Sequence, residues 1–106
     1  MTARPSPSLE ALSIDLGEPD LRGWRLWSRI IGVFLRGETI GAVVLMRLAH
    51  HFEAKGHRIL ARQASQRLRW KFGCMINRRA SIGPGFKLPH PVGIVIGEGV
   101  TIGAHC

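Results

Sequence analysis

Five histidines, two cysteines and seven acidic residues are the groups in this 106-residue chain suited to proton transfer, nucleophilic attack or metal binding. His90 stands apart because Pro89 and Pro91 bracket it. Two prolines hold the backbone extended and out of a strand ladder, which suits a residue on a projecting corner. An imidazole there, with a reference pKa of about 6.5, can exchange a proton near neutral pH, or it can be a plain solvent-exposed turn histidine. His50, His51 and His57 have no acidic or Cys partner at ligand spacing, so helix-surface histidines are expected and no metal site. Cys74 and Cys106 are too few for a disulfide framework and lack metal-ligand spacing, which points to a reducing, cytoplasmic setting. Arg58, Arg62 and Arg69 share one side of a helix and could meet nucleic-acid or lipid phosphates. No nucleic-acid motif accompanies them and the chain has no Tyr for a stacking platform, so a solvated cationic face is expected.

The elements that must position these groups divide the chain in three. Fifteen Lys and Arg against seven Asp and Glu give a net charge of +8, and the length allows one small domain, not a large self-contained enzyme. With 45% hydrophobic and 21% charged residues, wholesale disorder is excluded. Residues 1–19, with Pro5, Pro7, Pro19 and several Ser, read as a flexible leader without a signal-peptide core. Residues 20–72 read as a helical domain. Trp24, Trp27, Ile31 and Phe34 fall on one face of a first helix, with the two Trp as core or helical-interface residues. Thr39 is an N-cap candidate for a second helix burying Ala42, Leu45, Met46, Ala49 and Phe52, which Gly56 stops. A third helix from His57 to about Lys71 repeats Leu60, Ala64 and Leu68 every four residues and ends before Gly73. The apolar run Ile30 to Leu48 is interrupted by Arg36, Glu38 and Arg47, which argues against a transmembrane segment.

From residue 73 to 106 the period changes. Ile76, Ile82 and Leu88 lie six residues apart, as do Ile96 and Ile102, and two residues before each stands Cys74, Ala80, Phe86, Ile94 or Val100. Gly83, Gly97 and Gly103 follow three of the aliphatics, and eight residues instead of six separate Leu88 from Ile96. Short strands and glycine-bearing turns at a fixed short period are the signature of a parallel β-helix. The fold class expected is therefore α+β, a helical domain followed by the first coils of a parallel β-helix.

The stretch LPHPVGIVIGEGVTIG resembles the hexapeptide-repeat acyltransferases, and within them the serine O-acetyltransferase group. The resemblance covers Trp24 to Cys106, weakly over the helices and strongly over Ile82 to Gly103. It implies a left-handed β-helix, acetyl-CoA as acyl donor with no bound cofactor, L-serine as acceptor in cysteine biosynthesis, and a homotrimer or larger assembly with sites between subunits. It also implies that His90 is the catalytic base, carried on the extra loop that the eight-residue interval provides. A base of this kind is normally oriented by a carboxylate. Where the family places an Asp fifteen residues before the His, this chain has Met75, and where an Asp often precedes the His it has Pro89. Glu98 is the nearby carboxylate that remains, and the orienting role is assigned to it.

Met75 and Pro89 remove acidic groups suited to a serine ammonium and so favour a runner-up, a sugar or polysaccharide O-acetyltransferase of the same fold. A third possibility is a non-catalytic interaction module, for which His90→Ala changes nothing. The family continues for several more coils that carry the acetyl-CoA groove and a second active-site His. Residues 73–106 are accordingly expected to be an incomplete β-helix, and the 106 residues to be an N-terminal portion of a longer acyltransferase, or a truncated product, inactive alone.

Overall fold

The computed structural model describes residues 7–106. Four helices come first, α1 (Pro7–Asp15), α2 (Gly23–Arg36), α3 (Gly41–Ala54) and α4 (Arg58–Phe72). Four two-residue strands follow, β1 (Met75–Ile76), β2 (Ser81–Ile82), β3 (Val95–Ile96) and β4 (Thr101–Ile102).

Helix α1 corrects the expectation of a flexible leader for residues 7–19; residues 1–6 lie outside the described part. Pro7 suits a first helical turn, and Glu10 faces the positive end of the helix dipole. Leu9, Leu12 and Leu16 recur at helical spacing, and Leu12 and Leu16 are buried against Leu21, Leu26 and Val44. Three leucines on one stripe supply enough apolar surface to order a short Pro- and Ser-rich segment once α3 is there to receive it.

α3 is the central element. Every residue from Gly41 to Ala49 is buried, Arg47 included. Its flanks feed two clusters: Val44, Leu48 and Ala49 pack with α1, α2 and Ala64, while Ala42, Val43, Leu45 and Met46 pack with Leu68, Phe72 and the residues after Gly73. The cap lies at Ile40 without a side-chain hydrogen bond, so Thr39 contributes only its carbonyl, which accepts from Ala42 N–H at 3.0 Å. Gly56 follows the helix with φ +78°, and Gly73 ends α4 in the left-handed region at φ +63°, a conformation glycine adopts without a Cβ penalty.

On α2 the buried stripe is Leu26, Ile30 and Val33, not the expected face. Trp24 is 79% and Ile31 57% exposed, and Trp27 is 41% exposed. α2 has a broad apolar arc, and α3 receives only one side of it. In α4 the expected Ala64 and Leu68 are buried, joined by Ala61 and Phe72, while Leu60 is half exposed.

β1 pairs with β3 and β2 with β4, both in parallel, with Met75 opposite Val95 and Ser81 opposite Thr101. Both registers advance by the same 20 residues. N–H groups of Met75, Asn77, Ser81 and Gly83 donate to carbonyls of Ile94, Ile96, Val100 and Ile102 at 2.8–2.9 Å. The chain thus rises one level per circuit, with Cys74, Ile76, Ala80, Ile82, Phe86 and Leu88 buried inside the first level. Ile94, Ile96 and Ile102 of the second level are partly buried over it.

Candidate functional site

His90 sits on the turn between Leu88 and Ile94, exposed, with Pro89 and Pro91 on either side. Gly93, in the left-handed region at φ +81°, closes this turn, and its N–H donates to the Gly73 carbonyl at 2.8 Å. Ile94 N–H donates to Pro91 O at 3.2 Å. The turn is therefore fastened to the end of α4 while the imidazole itself has no hydrogen-bond partner among the described residues. Beside it, a cleft of about 210 Å³ is lined by Thr39, Ile40, Lys87, Leu88 and Pro89.

Glu98, given the orienting role in the sequence, engages a different partner. It lies on the turn between β3 and β4 with its carboxylate 3.2 Å from Arg79 Nη1, and both side chains are mostly exposed. Among the described residues it makes no hydrogen bond or ion pair with His90. Met75 is half exposed, its strand position facing outward from the first level.

The polar junction that the sequence did not reveal lies deeper. The Asp15 carboxylate accepts from Arg47 Nε at 2.7 Å and Nη2 at 3.3 Å, and from the N–H groups of Gly85 and Phe86 at 2.7 and 2.9 Å. Arg47 in turn donates to the carbonyls of Ile82 and Gly83, each at 2.7 Å. One acid and one arginine thus bind α1 and α3 to the strand-and-turn run that leads to His90. Asp15 gave no motif signal, because its partners are distant in sequence.

Of the helical histidines, His50 Nε2 lies 3.2 Å from the Asn77 carbonyl, so the ring donates to it. Burial pushes the His50 pKa below its ordinary value, with Arg47 acting in the same direction and the Asn77 bond opposing. His51 is lowered too, by burial and then by Lys55 and His57. Among the described residues no group of three or more His, Cys, Asp or Glu is placed to hold a metal ion. Nor is any described helix long and apolar enough to cross a membrane. An apolar groove of about 640 Å³ runs between α2, α3 and α4 past Phe34, Phe52, Leu60 and Trp70, and no residue of the His90 turn lines it.

Against known proteins, the chain is 37% identical over 70 residues to a serine acetyltransferase of Buchnera aphidicola subsp. Acyrthosiphon pisum, covering 66% of this chain and 25% of the relative. It is 39% identical over 71 residues to a serine acetyltransferase of Helicobacter pylori, covering 67% of this chain and 42% of the relative. Serine acetyltransferase 2 of Arabidopsis thaliana is 39% identical over 62 residues, covering 58% of this chain and 19% of the relative. The chain therefore matches less than half the length of each of these curated relatives. No family model matches the chain. No solved structure matches it significantly. Over about two thirds of its own length, this is a serine O-acetyltransferase-like protein.

Proposed function

We propose that the chain belongs to an acetyl-CoA-dependent O-acetyltransferase of the serine type, with His90 as general base. The observation that carries this reading is the likeness to serine acetyltransferases over two thirds of the chain. The exposed, proline-bracketed His90 supports it. In the proposed step the acceptor hydroxyl gives its proton to the imidazole as its oxygen bonds to the thioester carbonyl carbon. Collapse of the tetrahedral adduct breaks the carbon–sulfur bond, and the imidazolium returns the proton to the leaving thiolate. A left-handed sense for the coil and a homotrimer that completes the site between subunits belong to the same proposal. Both rest on the likeness to serine acetyltransferases. A cytoplasmic location accords with acetyl-CoA as donor.

A sugar hydroxyl is the alternative acceptor, favoured by Pro89 directly before His90 and by Met75, which leave no carboxylate beside the base to receive a serine ammonium. The test is thiol release from acetyl-CoA in the presence of L-serine or of sugar acceptors, with wild type and His90→Ala. A fall of roughly 10²–10⁴ in rate is expected. An unchanged rate in His90→Ala removes the base, and serine inert beside an active sugar replaces the acceptor. Orientation by Glu98 requires its carboxylate to leave Arg79. An unaltered pH–rate profile in Glu98→Gln removes that role.

A further inference from the structure

Arg62, Ser65, Gln66 and Arg69 stand on one face of α4, at helical offsets of three, four and seven from the first. Opposite them is the turn after β1, with Asn77 and Arg78. Between these two walls lies an open cavity of about 330 Å³ lined by all six residues. Three arginine side chains therefore line one small space. Arg78 has a carboxylate near it, Glu53 at 3.6 Å, while Arg62 and Arg69 have none among the described residues. Ser65 Oγ is buried in the wall with no hydrogen-bond partner.

This is an arrangement with unmet demand. Like charges lining one space repel, and a buried hydroxyl without a partner forfeits the bond it made to water. One anion seated in the cavity answers both at once. The donor set also selects the anion. Two arginines without a carboxylate partner, a third shared with Glu53, a hydroxyl and the side-chain amides of Gln66 and Asn77 exceed what the two oxygens of a carboxylate can accept, and they match the three non-bridging oxygens of a phosphate monoester. We propose that this cavity binds the phosphate group of a small-molecule phosphate ester.

The position gives the site a consequence. Arg69 O accepts from Gly73 N–H at 2.9 Å, and Gly73 O holds Gly93 of the His90 turn. The cavity and that turn thus hang on the same end of α4. Phosphate binding nevertheless stands or falls independently of acetyl transfer.

The test is isothermal titration of the purified chain with inorganic phosphate, acetate and chloride at matched ionic strength, followed by glucose 1-phosphate. Saturable binding of one phosphate per chain is expected, with acetate weaker and the ester at least as tight as inorganic phosphate. Arg62→Gln and Arg69→Gln should each weaken it by roughly tenfold or more, because each removes a charge-assisted bond. Ser65→Ala should weaken it less, and Arg25→Gln on α2, a residue that does not line the cavity, should leave it unchanged. Melting curves of the exposed Arg variants that overlay the wild type show that the fold is intact. Heat no greater than with chloride, acetate bound as tightly as phosphate, failure of the ester to bind, or an equal loss in Arg25→Gln would each overturn the proposal.

Discussion

Asp15 and Arg47, 32 residues apart, form an ion pair whose side chains are essentially fully buried. It is more than a pair of charges, because each partner also holds backbone of the coil, Gly85 and Phe86 N–H on Asp15, Ile82 and Gly83 carbonyls on Arg47. Asp15→Ala should cost about 3–5 kcal/mol, since it leaves a buried guanidinium uncompensated. An apolar double variant, Asp15→Leu with Arg47→Met, should not recover that loss. In a simple buried pair such replacement is often neutral, but here it strips partners from buried backbone groups, each costing about 1–3 kcal/mol. Urea unfolding of the three proteins decides it. A double variant as stable as wild type would reduce the junction to an ordinary ion pair.

This junction also marks the limit of what the sequence discloses. The positions that point into the coil, Cys74, Ile76, Ala80, Ile82, Phe86 and Leu88, are legible because each strand places its inward residues at the same phase and glycines punctuate the turns. Even the two-residue excess between Leu88 and Ile96 reappears as the 20-residue register of both strand pairs. Gly56 and Gly73 are legible as helix ends for a local reason, their positive φ. Asp15 is not, because a lone carboxylate in a Pro- and Ser-rich segment acquires its role only from α3 and the Gly83–Phe86 turn. The face of α2 fails for a related reason. Its apolar arc is wider than the contact available, and tertiary packing chooses Leu26 over Trp24. At the candidate site, the position of His90 follows from its prolines, whereas the partner of Glu98 depends on which turn stacks beside it, and that is Arg79.

Stacking of successive levels predicts a contrast between two glycines. A Cβ on Gly83 would lie 2.7 Å from Ala104 N and Gly103 C, backbone atoms of the next level that cannot rotate away. A Cβ on Gly97 meets nothing within 4 Å. Gly83→Ala should therefore destabilise by about 1–3 kcal/mol, the usual cost of overpacking. Gly97→Ala should stay within about 0.5 kcal/mol of wild type. Thermal melts give both numbers, and equal effects would contradict the stacking of residue 83 beneath residue 103.

The two thiols should differ as sharply. Cys74 is fully buried in the first level of the coil, and that burial pushes its thiol pKa up, whereas Cys106 is exposed. Since the thiolate is the reactive species, a native chain should release one equivalent of chromophore from an aromatic disulfide reagent and two after denaturation in guanidinium. Fast reaction of both thiols in the native chain would mean that the coil opens readily at Cys74.

Stability should also depend on pH through His50. Its native pKa lies below the ordinary 6.5, chiefly through burial between α3 and the Asn77 turn, with Arg47 adding repulsion. The unfolded chain, retaining the ordinary value, binds a proton first as pH falls, so protonation favours unfolding. The stabilisation from a neutral His50 is then fully present above about pH 6.5 and is lost as pH falls from there toward the lowered native value. His51 shifts the same way and adds to the slope. His50→Gln keeps an amide N–H able to donate to the Asn77 carbonyl but removes the titration. Its melting temperature should fall less than that of wild type between pH 7.5 and about pH 5, and His50→Gln with His51→Gln should flatten the profile further. A His50→Gln profile parallel to wild type throughout would place the acid sensitivity elsewhere in the fold.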